Sequence, residues 1–321
     1  MKIDPATVPV TGAGDGARTW LWSQAGGLNQ FGAYIEELPP GAQSSQRHWH
    51  AAEDAFLLML AGAATVNDDD GAHLMRPGDA MAWRHSDRDG HQVVKAGSAM
   101  VRFLIVGSRV ALDGVTYPDS GAVLINGLTD CKVVDAEGRL LRSGDLPPEL
   151  RGLQSNCGQS HNPASTGQRF LPAATRLWVT EADLAHPILG SGLGPYRTSH
   201  LGDLCGLTRF GVFLEELPTG SGSSFRHWHE TEDEMVMVLT GTPTLVEDTE
   251  TLLQPGDVAC WPAGVAVGHR LVNRSTDAAG YLVIGTRHQN DRIHYPDHDL
   301  ITEKTGAARA WFHADGRKRP I

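Results

Sequence analysis

Within the run Arg226-His227-Trp228-His229-Glu230-Thr231-Glu232-Asp233-Glu234, two imidazoles and a carboxylate stand close enough to share one ion. The run reads as extended chain, in which alternate side chains point to opposite faces, so His227 and His229 face one way and Trp228 the other. A His-x-His pair alone is equally well read as two half-buried histidines bonded to backbone. Here Glu234 opens the next predicted strand, and His269 begins another. Three imidazoles and one carboxylate make a mixed nitrogen and oxygen donor set suited to Fe²⁺, Mn²⁺, Ni²⁺, Co²⁺ or Zn²⁺. In an octahedral ion, four protein ligands leave two positions for a substrate, or for substrate and dioxygen.

The elements that must position these residues occur twice. Arg47-His48-Trp49-His50-Ala51-Ala52-Glu53-Asp54-Ala55 lies 179 positions before its counterpart, with Ala55 where Glu234 stands. The correspondence starts upstream, at Gly27–Gly32 against Gly206–Gly211 and Glu36-Glu37-Leu38-Pro39 against Glu215-Glu216-Leu217-Pro218. After one gap it continues at an offset of 178: Pro77-Gly78-Asp79 with Pro255-Gly256-Asp257, Trp83 with Trp261, His91 with His269, Arg109 with Arg287, and Tyr117-Pro118-Asp119 with Tyr295-Pro296-Asp297. Such self-similarity means one structural unit built twice.

Each unit reads as short strands punctuated by Gly and Pro turns. In the second, the pattern predicts strands at Phe210–Leu217, Glu234–Thr240, Pro243–Glu247, Val258–Trp261, His269–Asn273 and Ala279–Thr286. With no amphipathic helices between them, the fold is predicted to be all-β, an antiparallel sandwich or barrel. The expected domains are 1–142, a linker and arm over 143–195, and 196–321. The linker carries Pro147-Pro148 and a polar stretch, Gln154–Gln168, expected to be mobile. Leu177–Leu184 is expected to add a strand or short helix, and the segments leading into each unit to pack on the barrels.

Composition narrows the partners. With 38 acidic against 27 basic residues the formal net charge is −11, which disfavours nucleic acid and anionic lipid. No apolar run is long enough to span a bilayer, and no signal peptide is evident at Met1-Lys2-Ile3-Asp4-Pro5, so a cytoplasmic location is expected. Cys131, Cys157, Cys205 and Cys260 form no C-x-x-C pair and read as free thiols. The expected partner is a small molecule, on a monomer or homodimer.

These motifs resemble those of the cupin superfamily. Gly220, His227, His229, Glu234 and Gly241 follow its first motif, G-x5-H-x-H-x3-4-E-x6-G, with one extra residue after the first glycine. Gly256, Pro262, Gly264, His269 and Asn273 follow its second, G-x5-P-x-G-x2-H-x3-N, with two extra residues in the turn. The resemblance implies two tandem cupin barrels of the double-stranded β-helix or jelly-roll type, with a metal held by His227, His229, Glu234 and His269. It implies a metal-dependent enzyme, a dioxygenase first and an isomerase, lyase or decarboxylase second, with a non-catalytic binding module as the alternative. Glu234 is either a fixed ligand or a carboxylate that swings away to take a proton.

The first unit keeps His48, His50 and His91 but has Ala55, Arg84 and Lys95 in place of Glu234, Pro262 and Asn273, so it is either a three-histidine metal site or a structural partner. Features present in both copies more plausibly serve the fold: Trp49 and Trp228, Glu53 and Glu232, Asp54 and Asp233, and Arg109 and Arg287, the arginines pairing with Asp119 and Asp297. Features of the second copy alone, namely Glu234, Asn273, Phe225, Tyr281 and Cys260, are the candidates for chemistry.

Overall fold

The computed structural model describes residues 1–12, 16–94, 98–146, 151 and 167–319. Antiparallel sheet dominates both repeats, as predicted. In the second, a six-stranded sheet runs in the order Val179–Glu181, Tyr196–Ser199, Phe210–Leu217, Ala279–Thr286, Glu234–Thr240, Val258–Trp261. Opposed to it lie Trp228–His229 with the strands Asn290–Tyr295, Leu300–Thr305 and Ala308–Phe312, and a smaller sheet of Thr244–Val246, Glu250–Leu252 and Arg270–Val272. The first repeat reproduces this plan around Phe31–Leu38, Val101–Ser108, Ala55–Ala61 and Ala80–Trp83. This is the two-sheet jelly-roll arrangement, present twice.

Four of the strands predicted in the second repeat have the observed bounds, and two are shorter: Thr244–Val246 and Arg270–Val272. The C-terminal strands from Asn290 onward escape a reading based on apolar alternation because they are rich in charge, as in Asn-Asp-Arg-Ile-His-Tyr. Val179–Glu181, within the expected Leu177–Leu184 element, is a strand. The polar stretch up to residue 166, Pro147-Pro148, Lys95 and Cys157 lie outside the described residues. Cys131, Cys205 and Cys260 are free thiols.

Period-two alternation assigns each strand two tasks. Phe210, Val212 and Leu214, with Met235, Met237, Leu282 and Ile284, face the first repeat and join Phe31, Ala33, Ile35, Phe56 and Val106 in one buried cluster. Phe31 and Phe210 meet at 6.4 Å between ring centroids. The alternate residues, Gly211, Phe213, Glu215, Glu234, Val236, Tyr281 and Val283, line a cavity within the second repeat.

Asp54 and Asp233 join the repeats reciprocally. One oxygen of Asp233 accepts from the backbone N–H groups of Asn29 and Gln30 at 2.8 and 2.9 Å. One of Asp54 accepts from Thr208 and Arg209 at 2.7 and 2.8 Å. The leading segments cross over as well: Ile3 donates to Val258 O in the second repeat, whereas Phe170–Leu171 pairs with Ala80–Met81 in the first. Among the described residues no helix is long and apolar enough to cross a membrane.

Candidate metal centre

Glu234 sits at the first position of its strand, beside Gly285 of the neighbouring one, whose missing side chain leaves the carboxylate room to reach the cavity. Its Oε2 lies 3.3 Å from His269 Nε2 and 3.7 Å from His229 Nε2. His227 completes the group, its ring centroid 5.2 Å from those of both His229 and His269. A backbone bridge between His227 and His269 holds these two segments together.

The outer nitrogen of each ring is already committed to an oxygen. His227 Nδ1 donates to Phe225 O at 2.9 Å, His229 Nδ1 to Asp291 Oδ2 at 2.6 Å, and His269 Nδ1 to Val267 O at 3.1 Å. These bonds assign the proton to Nδ1 and turn three Nε2 lone pairs inward. In the neutral state of the three rings, imidazole and carboxylate lone pairs converge on one point, with His269 Nε2 and Glu234 Oε2 in contact. A nitrogen and carboxylate donor set of this kind fits a divalent metal. His227, His229 and Glu234 offer ligand atoms that all lie within 4.8 Å of one another.

Electrostatics favour a neutral His227 and an ionised Glu234, while His229 holds its proton more tightly until a cation displaces it. Burial, and then the neighbouring rings of His229 and His269, push His227 down to about 4, so it is neutral near pH 7. Burial alone would push Glu234 up, but the imidazoles of His269, His227 and His229 hold it well below the usual carboxylate range. His229 also loses by burial, yet the hydrogen bond to Asp291 and the charge of Glu234 carry it above its ordinary value.

The cavity has a volume of about 360 Å³ and is also lined by Glu215, Glu232, Tyr281, Arg287 and Lys304. Trp261 stacks on His269 at 3.7 Å and 11°, which restricts that ring's rotation. Glu232, expected as scaffold or surface, lines the cavity, where it pairs with Lys304 and accepts from His288 N–H at 2.7 Å.

In the first repeat His48, His50 and His91 keep the same disposition, with His48 5.2 Å from each partner ring. Their Nδ1 atoms donate to Gln46 O, Asp113 Oδ2 and Asp89 O at 2.8, 2.7 and 3.2 Å, so these rings also turn Nε2 inward. Ala55 leaves that cluster without the fourth ligand.

Several sequence expectations are corrected. Asp119 and Asp297 pair with Arg47 and Arg226, not with Arg109 and Arg287. Arg109 instead donates to Leu28 O and Tyr34 Oη, and Arg287 to Leu207 O and Asp203. Asn273 is fully buried and donates to Leu217 O and Asp277 O, a turn-fixing role. Cys260 belongs to the core shared by the repeats. Phe225 packs edge-on against His186 and His298, away from the cavity lining, whereas Tyr281 does line it. Trp228 faces away from the centre as expected, stacked on His294 at 4.1 Å.

Asp291, Asp113 and Glu215 were missed by the sequence reading. Nothing near Asp291 in sequence marks it, because its partner lies 62 residues away. Glu215 carried a legible signal: it alternates with the apolar Phe210, Val212 and Leu214, and so stands on their opposite face.

Comparisons with known proteins agree with this architecture. A family model described as the cupin domain matches residues 34–107 and again 213–285. A solved sugar phosphate isomerase of a cupin superfamily, from Silicibacter pomeroyi, is 35% identical over 47% of this chain and 96% of its own, with a TM-score of 0.44. Oxalate decarboxylase from Bacillus subtilis is 14% identical over 90% of this chain and 76% of its own, with a TM-score of 0.52. The Lactobacillus farciminis enzyme, solved with formate, is also 14% identical, over 89% and 86%, at 0.52. Comparison with curated protein sequences finds no match.

Proposed function

The chain belongs to the cupin superfamily, with two cupin domains in tandem, and from that premise we propose that its second domain is a mononuclear metal-dependent enzyme acting on a small oxygen-rich organic molecule. The reading rests on one observation above the others: three imidazoles, each with its Nδ1 bonded to an oxygen, turn Nε2 toward one ionised carboxylate. His227, His229, Glu234 and His269 would hold the ion, with Fe, Mn, Ni, Co and Zn all compatible with the donor set. A bound divalent metal supplies Lewis acidity, polarising a carbonyl, carboxylate or diol oxygen.

The protein's own groups do the rest. Asp291 holds the His229 ring in one orientation, and Trp261 does the same for His269. Lys304 neutralises Glu232 beside the centre, leaving Glu234 as the anionic ligand. Arg287, anchored on Asp203 and Leu207 O, adds a cationic wall suited to an oxygen-rich, anionic or polar ligand. A dioxygenase reading needs an iron and a place for dioxygen. An isomerase, lyase or decarboxylase reading needs a side chain that handles a proton, and the cavity contains one. The three histidines of the first domain are proposed as a weaker, three-nitrogen site.

Metal reconstitution tests the proposal. Protein stripped with chelator and re-supplied with Fe²⁺, Mn²⁺, Co²⁺, Ni²⁺ or Zn²⁺ is expected to retain one tight equivalent, which E234A loses and H48A keeps. Failure of all five ions to bind stoichiometrically overturns the enzyme reading.

A further inference from the structure

On the cavity wall across the sheet from Glu234 stands a second carboxyl, Glu215. It lies directly opposite Tyr281 on the neighbouring strand, whose buried hydroxyl has no hydrogen-bond partner among the described residues, and Tyr196 also bears on the carboxyl. The two copies provide a control. Glu36 occupies the position of Glu215 in the first domain and also lines a cavity with His48, His50 and His91. There the counterpart of Tyr281 is Phe103 and that of Tyr196 is Ala17, by the matching registers Glu36↔Phe103, Arg18↔Glu37 and Arg197↔Glu216. The carboxyl is common to both domains, whereas the two tyrosines occur only in the domain that has Glu234.

We propose that Glu215, served by Tyr281 and Tyr196, is the group that takes and returns a proton in the second-domain cavity, and that the substrate is an enolisable carbonyl compound. This deepens the metal-centre reading and rests on it. In the step, a C–H bond beside the polarised carbonyl breaks, its proton passes to a Glu215 carboxylate oxygen, and the bonding pair stays on the substrate as an enolate. Return of the proton to that carbon regenerates both the carbonyl and the carboxylate. No oxidant or reductant is consumed.

The surroundings suit a reversible acceptor. Burial pushes Glu215 up to about 7, against the tyrosine hydroxyls, which favour the ionised form; Glu234 adds to the rise and His200 opposes it. Such a group is both acid and base near neutrality. Ser223 lines the same cavity as Tyr281.

The test separates this assignment from the metal centre, because it is read on metal-free protein. Glu36 and Glu53 are also raised to about 7, so residue-specific labelling is needed. A water-soluble carbodiimide with glycinamide, mapped by mass spectrometry, labels protonated carboxyls that solvent can reach. Glu215 is expected to label about tenfold more at pH 6 than at pH 8, the ratio of protonated fractions for a midpoint near 7. The protonated-carboxyl infrared band should lose a component with the same midpoint in E215Q. Y281F and Y196F should raise the labelling midpoint of Glu215, since each removes a hydroxyl that favours the ionised carboxyl, and leave that of Glu36 unchanged. Labelling of Glu215 that is absent or flat with pH, or a midpoint indifferent to both tyrosines, overturns the assignment. E215Q should still bind one metal equivalent; a loss of metal in wild type and E215Q alike would sink the metal centre and leave the titration of Glu215 standing.

Discussion

Replacing Glu234 with alanine would give the second domain the ligand set of the first, and the two copies thereby predict each other. Asp291 acts one bond further out. Its hydrogen bond to His229 Nδ1 fixes the ring's tautomer, so D291N is expected to weaken metal affinity about 10- to 100-fold, as outer-shell partners of ligating histidines do, measured by competition with a chromophoric chelator. The pH dependence follows from the two shifted rings. His229 is raised, so its proton competes with the metal first, whereas His227, pushed down to about 4, competes only in stronger acid. Affinity should therefore be steady above the raised value and fall by about tenfold per pH unit below it, one proton being displaced. Titrations across pH 5 to 8 check this, and an affinity that rises on acidification would contradict it. At this scale the histidines and Glu234 were legible because ligand spacing is local. The bond of Asp291 to His229 and the meeting of Tyr196 and Tyr281 with Glu215 were not, because register between distant strands creates them.

At the scale of elements, a strand here serves the cavity with one face and the inter-domain core with the other. That is why Asp233 and Glu234, adjacent in sequence, have such different roles. Asp233 turns to the first domain and Glu234 to the ligand cluster. Sequence comparison of the copies identified Asp54 and Asp233 as scaffold but did not reveal that each caps backbone N–H groups of the other domain. Losing Asp233 leaves the backbone N–H groups of Asn29, Gln30 and Ala263 without their acceptor, so D233A should destabilise the fold by about 3 kcal/mol in denaturant unfolding. For Asp54 the sign with pH is definite. Burial opposes ionisation, but the donors His85, Arg209 and Thr208 outweigh it and the folded value lies below the ordinary one. Its contribution is thus present above about pH 4 and lost as pH falls through the depressed folded value, and D54N should remove that part of the acid sensitivity. Strand bounds were readable wherever apolar residues alternate, and unreadable in the charged hairpins after Asn290.

For the whole molecule, the two domains behave as a covalent dimer around a shared apolar face. Phe210, Val212, Leu214, Met235, Met237 and Ile284 are buried in one cluster with residues of the first domain. A fragment spanning 196–321 is expected to associate with itself through that face, giving a dimer or larger species by analytical ultracentrifugation; a stable monomer would contradict the shared core. The fold as a doubled unit was legible from the repeat alone. The crossing-over of the leading segments was not, since pairing of Ile3 with Val258 leaves no trace in local pattern. The central claim is that this doubled scaffold positions one metal in its second domain. Anomalous scattering from a crystal grown with Mn²⁺ or Fe²⁺ tests it most directly: the account predicts a peak enclosed by His227, His229, Glu234 and His269, and a fully supplied crystal with no peak there would contradict it.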